Sequence, residues 1–94
     1  MMTEKYLSDL NKGDVAQILG FAAERCQNAD FARDLEERLL EIGFEEGLDV
    51  KILHEGPVSR DPIAIRIGQM TVALRRREAA AVRIGPAKPH DGKV

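Results

Sequence analysis

The sequence predicts a mainly-β domain: a small, strongly bent barrel of about five strands carrying one amphipathic helix. Three observations lead there. Ile63, Ile65 and Ile67 alternate with Ala64 and Arg66, and Val72 and Leu74 alternate with Ala73 and Arg75. That period of two marks strands with one buried face. Gly68-Gln69 separates the two runs, where a tight hairpin needs a residue that tolerates positive φ. Finally, a chain of 94 residues holds a single core and cannot fill both layers of a sandwich. Curling one sheet removes its free edges instead.

The elements follow in order. Leu7 and Leu10 frame a short turn, and Asn11-Lys12-Gly13 leads into a strand over 14–21. Val15, Gln17 and Leu19 share one face of it, and Ala16, Ile18 and Gly20 the other. Apolar residues on both faces fit burial on one side and a packed neighbour on the other. A helix through Ala16-Gln17-Ile18-Leu19 is the other reading, and Gly13 and Gly20 favour the strand. Asn28 and Asp30 are alternative N-caps for the helix that follows. Phe31, Leu35, Leu39 and Ile42 form its apolar stripe, and Gly43 supplies the left-handed stop. Phe44 turns back to the core, and Glu46-Gly47 turns into a strand over 49–55, ended by Gly56-Pro57. An exposed loop, 59–62, precedes the hairpin 63–67/70–75. Glu78-Ala79-Ala80-Ala81 reads as one helical turn, and Val82-Arg83-Ile84 as the closing strand. The domain is thus expected over 1–84, with 85–94 a disordered, dispensable tail poor in apolar residues.

Composition narrows the function. Hydrophobic residues at 44% and charged residues at 32% are those of an ordinary globular domain. A net charge of −2 gives no reason to expect nucleic acid as partner. There is no apolar run approaching the ~20 residues of a membrane span, and no signal-like start. A single cysteine, Cys26, fits a reducing cytoplasm. Charge is uneven: residues 1–47 carry 5 basic and 11 acidic side chains, and residues 48–94 carry 9 and 5. This asymmetry either becomes surface pairing between the halves or orients a charged partner.

Cys26, His54 and His90 show no metal-ligand spacing, so no metal site is expected. His54-Glu55 reads as a solvated pair. No nucleophile stands with a histidine and no glycine-rich phosphate loop is present, so neither enzymatic activity nor a cofactor is expected. The sharpest feature is Arg75-Arg76-Arg77. Three guanidiniums after a strand either dock an acidic surface or form a solvated strand end. With Arg60 in the nearby loop they are the candidate partner-binding residues. Since neither Arg76 nor Arg77 belongs to the apolar alternation, both are expected to be dispensable for folding. No aromatic residues interleave with them as nucleic-acid stacking requires.

Four stretches carry a resemblance: Leu7-Ser8-Asp9-Leu10 with Gly13; Arg38-Leu39-Leu40-Glu41-Ile42-Gly43-Phe44 with Gly47; Asp61-Pro62-Ile63 with Ile65-Arg66; and Ala73-Leu74-Arg75-Arg76 with Glu78-Ala79. Their order over 7–84 resembles the FeoA family, small cytoplasmic accessory proteins of bacterial ferrous iron uptake. The resemblance implies an SH3-like barrel with an inserted helix. It also implies a non-enzymatic, regulatory role, docked on the cytosolic part of a FeoB-type membrane permease, as a monomer or weak homo-oligomer. The alternative is a regulatory or metal-sensing module like the SH3-like C-terminal domain of DtxR-type repressors. Ninety-four residues leave no room for a helix-turn-helix, so such a module is expected to act in trans.

Overall fold

The structure is a computed structural model that describes residues 5–85. Six strands run in the order β1 (Lys5–Tyr6), β2 (Val15–Phe21), β3 (Asp49–Val58), β4 (Asp61–Ile67), β5 (Met70–Leu74) and β6 (Val82–Ile84). The helix α1 (Ala29–Glu41) is inserted between β2 and β3, and the single turn α2 (Arg76–Ala79) lies between β5 and β6. All pairings are antiparallel, and the sheet order is β1-β6-β2-β3-β4-β5.

β2 gives the sheet its bend. Its first half pairs with β3 through Val15↔Lys51 and Ala16↔Val50. Its second half pairs with β6 through Ile18↔Ile84 and Phe21↔Val82, with a bulge between Ile18 and Gly20. Such a bulge tightens the local twist and lets one strand serve two neighbours. Ala16 and Ile18 face the core, while Leu19 is exposed. The expected packed neighbour on the second face is therefore not there at Leu19. The apolar content of β2 reflects its change of partner.

Alternation predicts the core well. Val50, Ile52, Ile63, Ile65 and Leu74 are fully buried, and Leu35, Leu39 and Phe44 cover them from the helix side. Phe31 and Ile42 complete the stripe half-buried. Of the two candidate caps, Asn28 takes the role, its side chain accepting the Phe31 N–H at 2.8 Å. Asp30 instead pairs with Arg33 in solvent. Asn28→Ala is expected to lower stability by about 1 kcal/mol. Asp30→Ala should scarcely move it, and urea unfolding of the two variants checks the difference. At the other end, Gly43 (φ +100°) closes the helix, and the Phe44 N–H reaches back to Leu39 O at 2.9 Å.

Five expectations are corrected. A short additional strand, β1, pairs with β6, making six strands where about five were expected. β3 does not stop at Gly56-Pro57 but continues to Val58, pairing Val58 with Asp61 across a register shift after Glu55. Pro57 lies in that irregular stretch, where no ladder donor is needed. The expected loop 59–62 shrinks to a two-residue turn, Ser59-Arg60, both with φ near +57° (56° and 58°), the backbone of a primed hairpin turn. The helical turn expected at 78–81 begins at Arg76. Gly85 also belongs with the folded part: it is buried and donates to Gln17 O at 2.9 Å. Residues 86–94 of the expected tail lie outside the described residues.

Candidate partner-docking site

α2 starts at the end of β5, where Arg75 serves as N-cap in extended conformation. Glu78 reaches back to accept the Arg75 N–H at 2.9 Å, the reciprocal half of a capping box. The same carboxylate pairs with Arg38 of α1. The turn is thereby fixed between the helix and the sheet, which makes up for a length too short to be stable alone.

The four candidate arginines divide sharply. Arg76 turns inward. Its Nε donates to Arg60 O at 2.7 Å, its Nη1 to Ser8 O at 2.9 Å, and its Nη2 to Glu55 Oε2 at 3.1 Å. Its backbone N–H is taken by Asp61 Oδ1 at 2.9 Å. One guanidinium therefore ties the N-terminal turn Leu7–Asp9, the β3–β4 hairpin and α2 together. That corrects the expectation that Arg76 is dispensable for folding. Arg75 and Arg77, in contrast, are exposed. Neither side chain makes a hydrogen bond or ion pair among the described residues. Arg60, at the hairpin tip, is exposed and donates to Asn11 Oδ1 at 2.8 Å, with Glu55 at 3.8 Å. Because the hairpin turn is bonded to the start of α2, Arg60 is held beside the cluster. The result is a basic ridge of Arg60, Arg75 and Arg77 resting on Arg76.

Glu55 is the residue that sequence reasoning missed. Expected to be solvated beside His54, it is half-buried and gathers Arg76, Arg60 and the Lys12 N–H at 3.3 Å. No spacing signals this, because Glu55 and Arg76 are 21 residues apart. His54 is exposed, as expected. A second basic side chain is also structural. Arg25 lies 3.6 Å from the Tyr6 ring centroid and donates to Ala80 O at 2.6 Å, clamping β1 near α2.

Cys26 is half-buried against the core. Burial first, and the nearby Glu24 second, push its thiol pKa up, so it stays protonated and is a poor nucleophile or ligand at neutral pH. Among the described residues no three His, Cys, Asp or Glu side chains converge as metal ligands. Nor is any helix among them long and apolar enough to cross a membrane. His90 lies outside the described residues.

A six-stranded bent sheet with an inserted helix defines a small SH3-like domain. The comparisons make this specific. The FeoA domain model matches residues 5–86, and the chain belongs to the FeoA family, which is linked to ferrous iron transport. It is 35% identical over 78 residues to an Fe(2+) transport protein A/Fe(2+) transporter FeoB fusion protein of Porphyromonas gingivalis. That match covers 83% of this chain but 8% of the relative's length. Among solved structures, a FeoA of Stenotrophomonas maltophilia, an SH3 domain protein complexed with zinc, superposes with a TM-score of 0.76 at 27% identity. The superposition covers 93% of this chain and 99% of that one. A manganese-dependent transcriptional repressor superposes with a TM-score of 0.69 at 17% identity, over 89% of this chain and 42% of the repressor. This last likeness concerns the fold alone.

Proposed function

We propose that the chain is a non-enzymatic accessory protein of bacterial ferrous iron uptake, working in the cytoplasm by docking on the cytosolic part of a FeoB-type permease. The observation that carries this reading is the Porphyromonas gingivalis relative, in which a segment similar to this chain shares one polypeptide with FeoB. Fusion holds two modules at effective concentrations of order millimolar, an arrangement that serves modules which touch. Where they are separate chains, a docking surface has to supply the encounter.

The ridge of Arg60, Arg75 and Arg77 is the surface we assign to that contact. Arg75 and Arg77 are not neutralised by the fold, and guanidiniums pair bidentately with carboxylates on a partner. The test is reversal of both, Arg75→Glu with Arg77→Glu, in cells whose ferrous iron uptake depends on this protein. Uptake should fall, and association should weaken about tenfold, since each exposed pair contributes up to ~1 kcal/mol. The residual binding should also be less sensitive to salt. Thermal unfolding of the variant should match the parent's, because neither side chain is bonded to another described residue. If the folded double variant restores uptake as well as the parent, the ridge is only a solvated strand end.

A further inference from the structure

Between α1 and β2 the surface opens into an apolar groove of ≈ 270 Å³, floored by Ile18, Phe21, Leu39, Phe44 and Val82. Leu40 stands at its edge with 58% of its surface exposed. The charged residues lining it are acidic: Glu36 from α1, and Glu45 and Glu46 from the turn that follows it. None of these three carboxylates takes a hydrogen bond or ion pair from another described residue. Arg38 pairs with Glu78. Arg83 pairs with Glu24 at 3.5 Å and reaches the Gly20 end of the groove, where a Cβ on Gly20 would lie 3.5 Å from its Nη1 and 3.6 Å from Glu46 Oε2.

We propose that this groove receives a cationic amphipathic segment of a protein partner. Its apolar side chains pack on Phe21, Leu40 and Phe44, and its Lys or Arg residues meet Glu36, Glu45 and Glu46. The volume lies just below the ~300 Å³ at which small-molecule sites begin, and suits the side chains of a bound helix. An acidic rim repels anionic lipid headgroups and nucleic acid. It also opposes a second copy of this chain seated groove to groove, which sets like charges against each other. A basic amphipathic helix answers both the apolar floor and the rim, by the helix-in-groove mode of recognition, and the rim's potential steers it inward. The inference is independent of the basic ridge and of the permease as partner.

The probe is a synthetic peptide of roughly four helical turns, with Leu at i, i+3, i+4 and i+7 and Lys on the opposite face. A matched peptide carries Glu in place of Lys. Titrated into the ¹⁵N-labelled full chain, the Lys peptide should give saturable shifts centred on the amides of Phe21, Leu40 and Phe44. The Glu peptide should bind at least about tenfold more weakly, as should the Lys peptide with the double variant Glu45→Lys and Glu46→Lys. Leu40→Ala, on an exposed side chain, should weaken binding without altering the rest of the spectrum. The proposal is overturned if no saturable shift occurs, if the shifts centre elsewhere, or if the Glu peptide binds equally well. It is also overturned if the same amides shift with concentration of the chain alone, which would make the groove a self-contact.

Discussion

Arg76→Ala is expected to lower the midpoint of thermal unfolding by roughly 10–20 °C, since a loss of about 2–4 kcal/mol shifts a domain of this size by several degrees per kcal/mol. The reason is what the side chain leaves behind. Arg76 and Glu55 keep only 18% and 19% of their side-chain surface exposed. Removing the guanidinium strips partners from Ser8 O, Arg60 O and the Glu55 carboxylate together. Ser8 O and the Glu55 carboxylate are part-buried, so losing their donor costs a large share of their desolvation, while the exposed Arg60 O can turn to water. Arg76→Lys should recover only part of the loss, because an ammonium cannot span three acceptors with the geometry of a planar fork. Arg77→Ala is the control and should leave the midpoint nearly unchanged. Equal, small shifts for Arg76→Ala and Arg77→Ala would show that the guanidinium is not the tie described above.

The second large effect is expected at Gly56. A Cβ there would lie 2.2 Å from Asp61 O, 2.5 Å from Asp61 C and 2.8 Å from Pro62 N. All three atoms are backbone, so no side chain can swing away. The conflict is relieved only by opening the β3–β4 hairpin where Glu55 and Asp61 anchor Arg76. Gly56→Ala should therefore cost at least about 3 kcal/mol, the upper end of overpacking. Gly47→Ala is the informative comparison. Nothing lies within 4 Å of its Cβ position, but its φ is +94°, and a side chain in left-handed backbone costs about 1–2 kcal/mol. Urea unfolding should rank Gly56→Ala well below Gly47→Ala. The reverse order would mean that strand approach at the hairpin matters less than backbone conformation.

These two sites also mark where the sequence stopped being legible. Period-two alternation placed Ile63, Ile65, Ile67 and Leu74 in the core, and the helical stripe placed Leu35 and Leu39, because burial imposes those periods directly. β1 has two residues, too few to show any period, and exists because β6 offers Ile84 and Arg83 as partners. Leu19 is apolar yet exposed because β2 changes neighbours at its bulge, a tertiary event with no local sign. The run of three arginines suggested three equivalent exposed side chains, and two of them, Arg75 and Arg77, are exposed. It could not reveal that the middle one faces inward, since Arg76's acceptors come from segments up to 68 residues away. Arg77, the next residue of α2, points away because successive helical residues cannot face the same way, and Arg75 precedes the helix as its extended N-cap.

Docking on a FeoB-type permease through the basic ridge is the function proposed for this chain. Calorimetric titration of the folded chain into the isolated cytosolic region of that permease, at low and at high salt, addresses it most directly. Binding should be saturable, weaken as salt rises and weaken again when Arg75 and Arg77 are both reversed to Glu. Absence of binding with both partners folded, or binding indifferent to salt and to the double reversal, would contradict it.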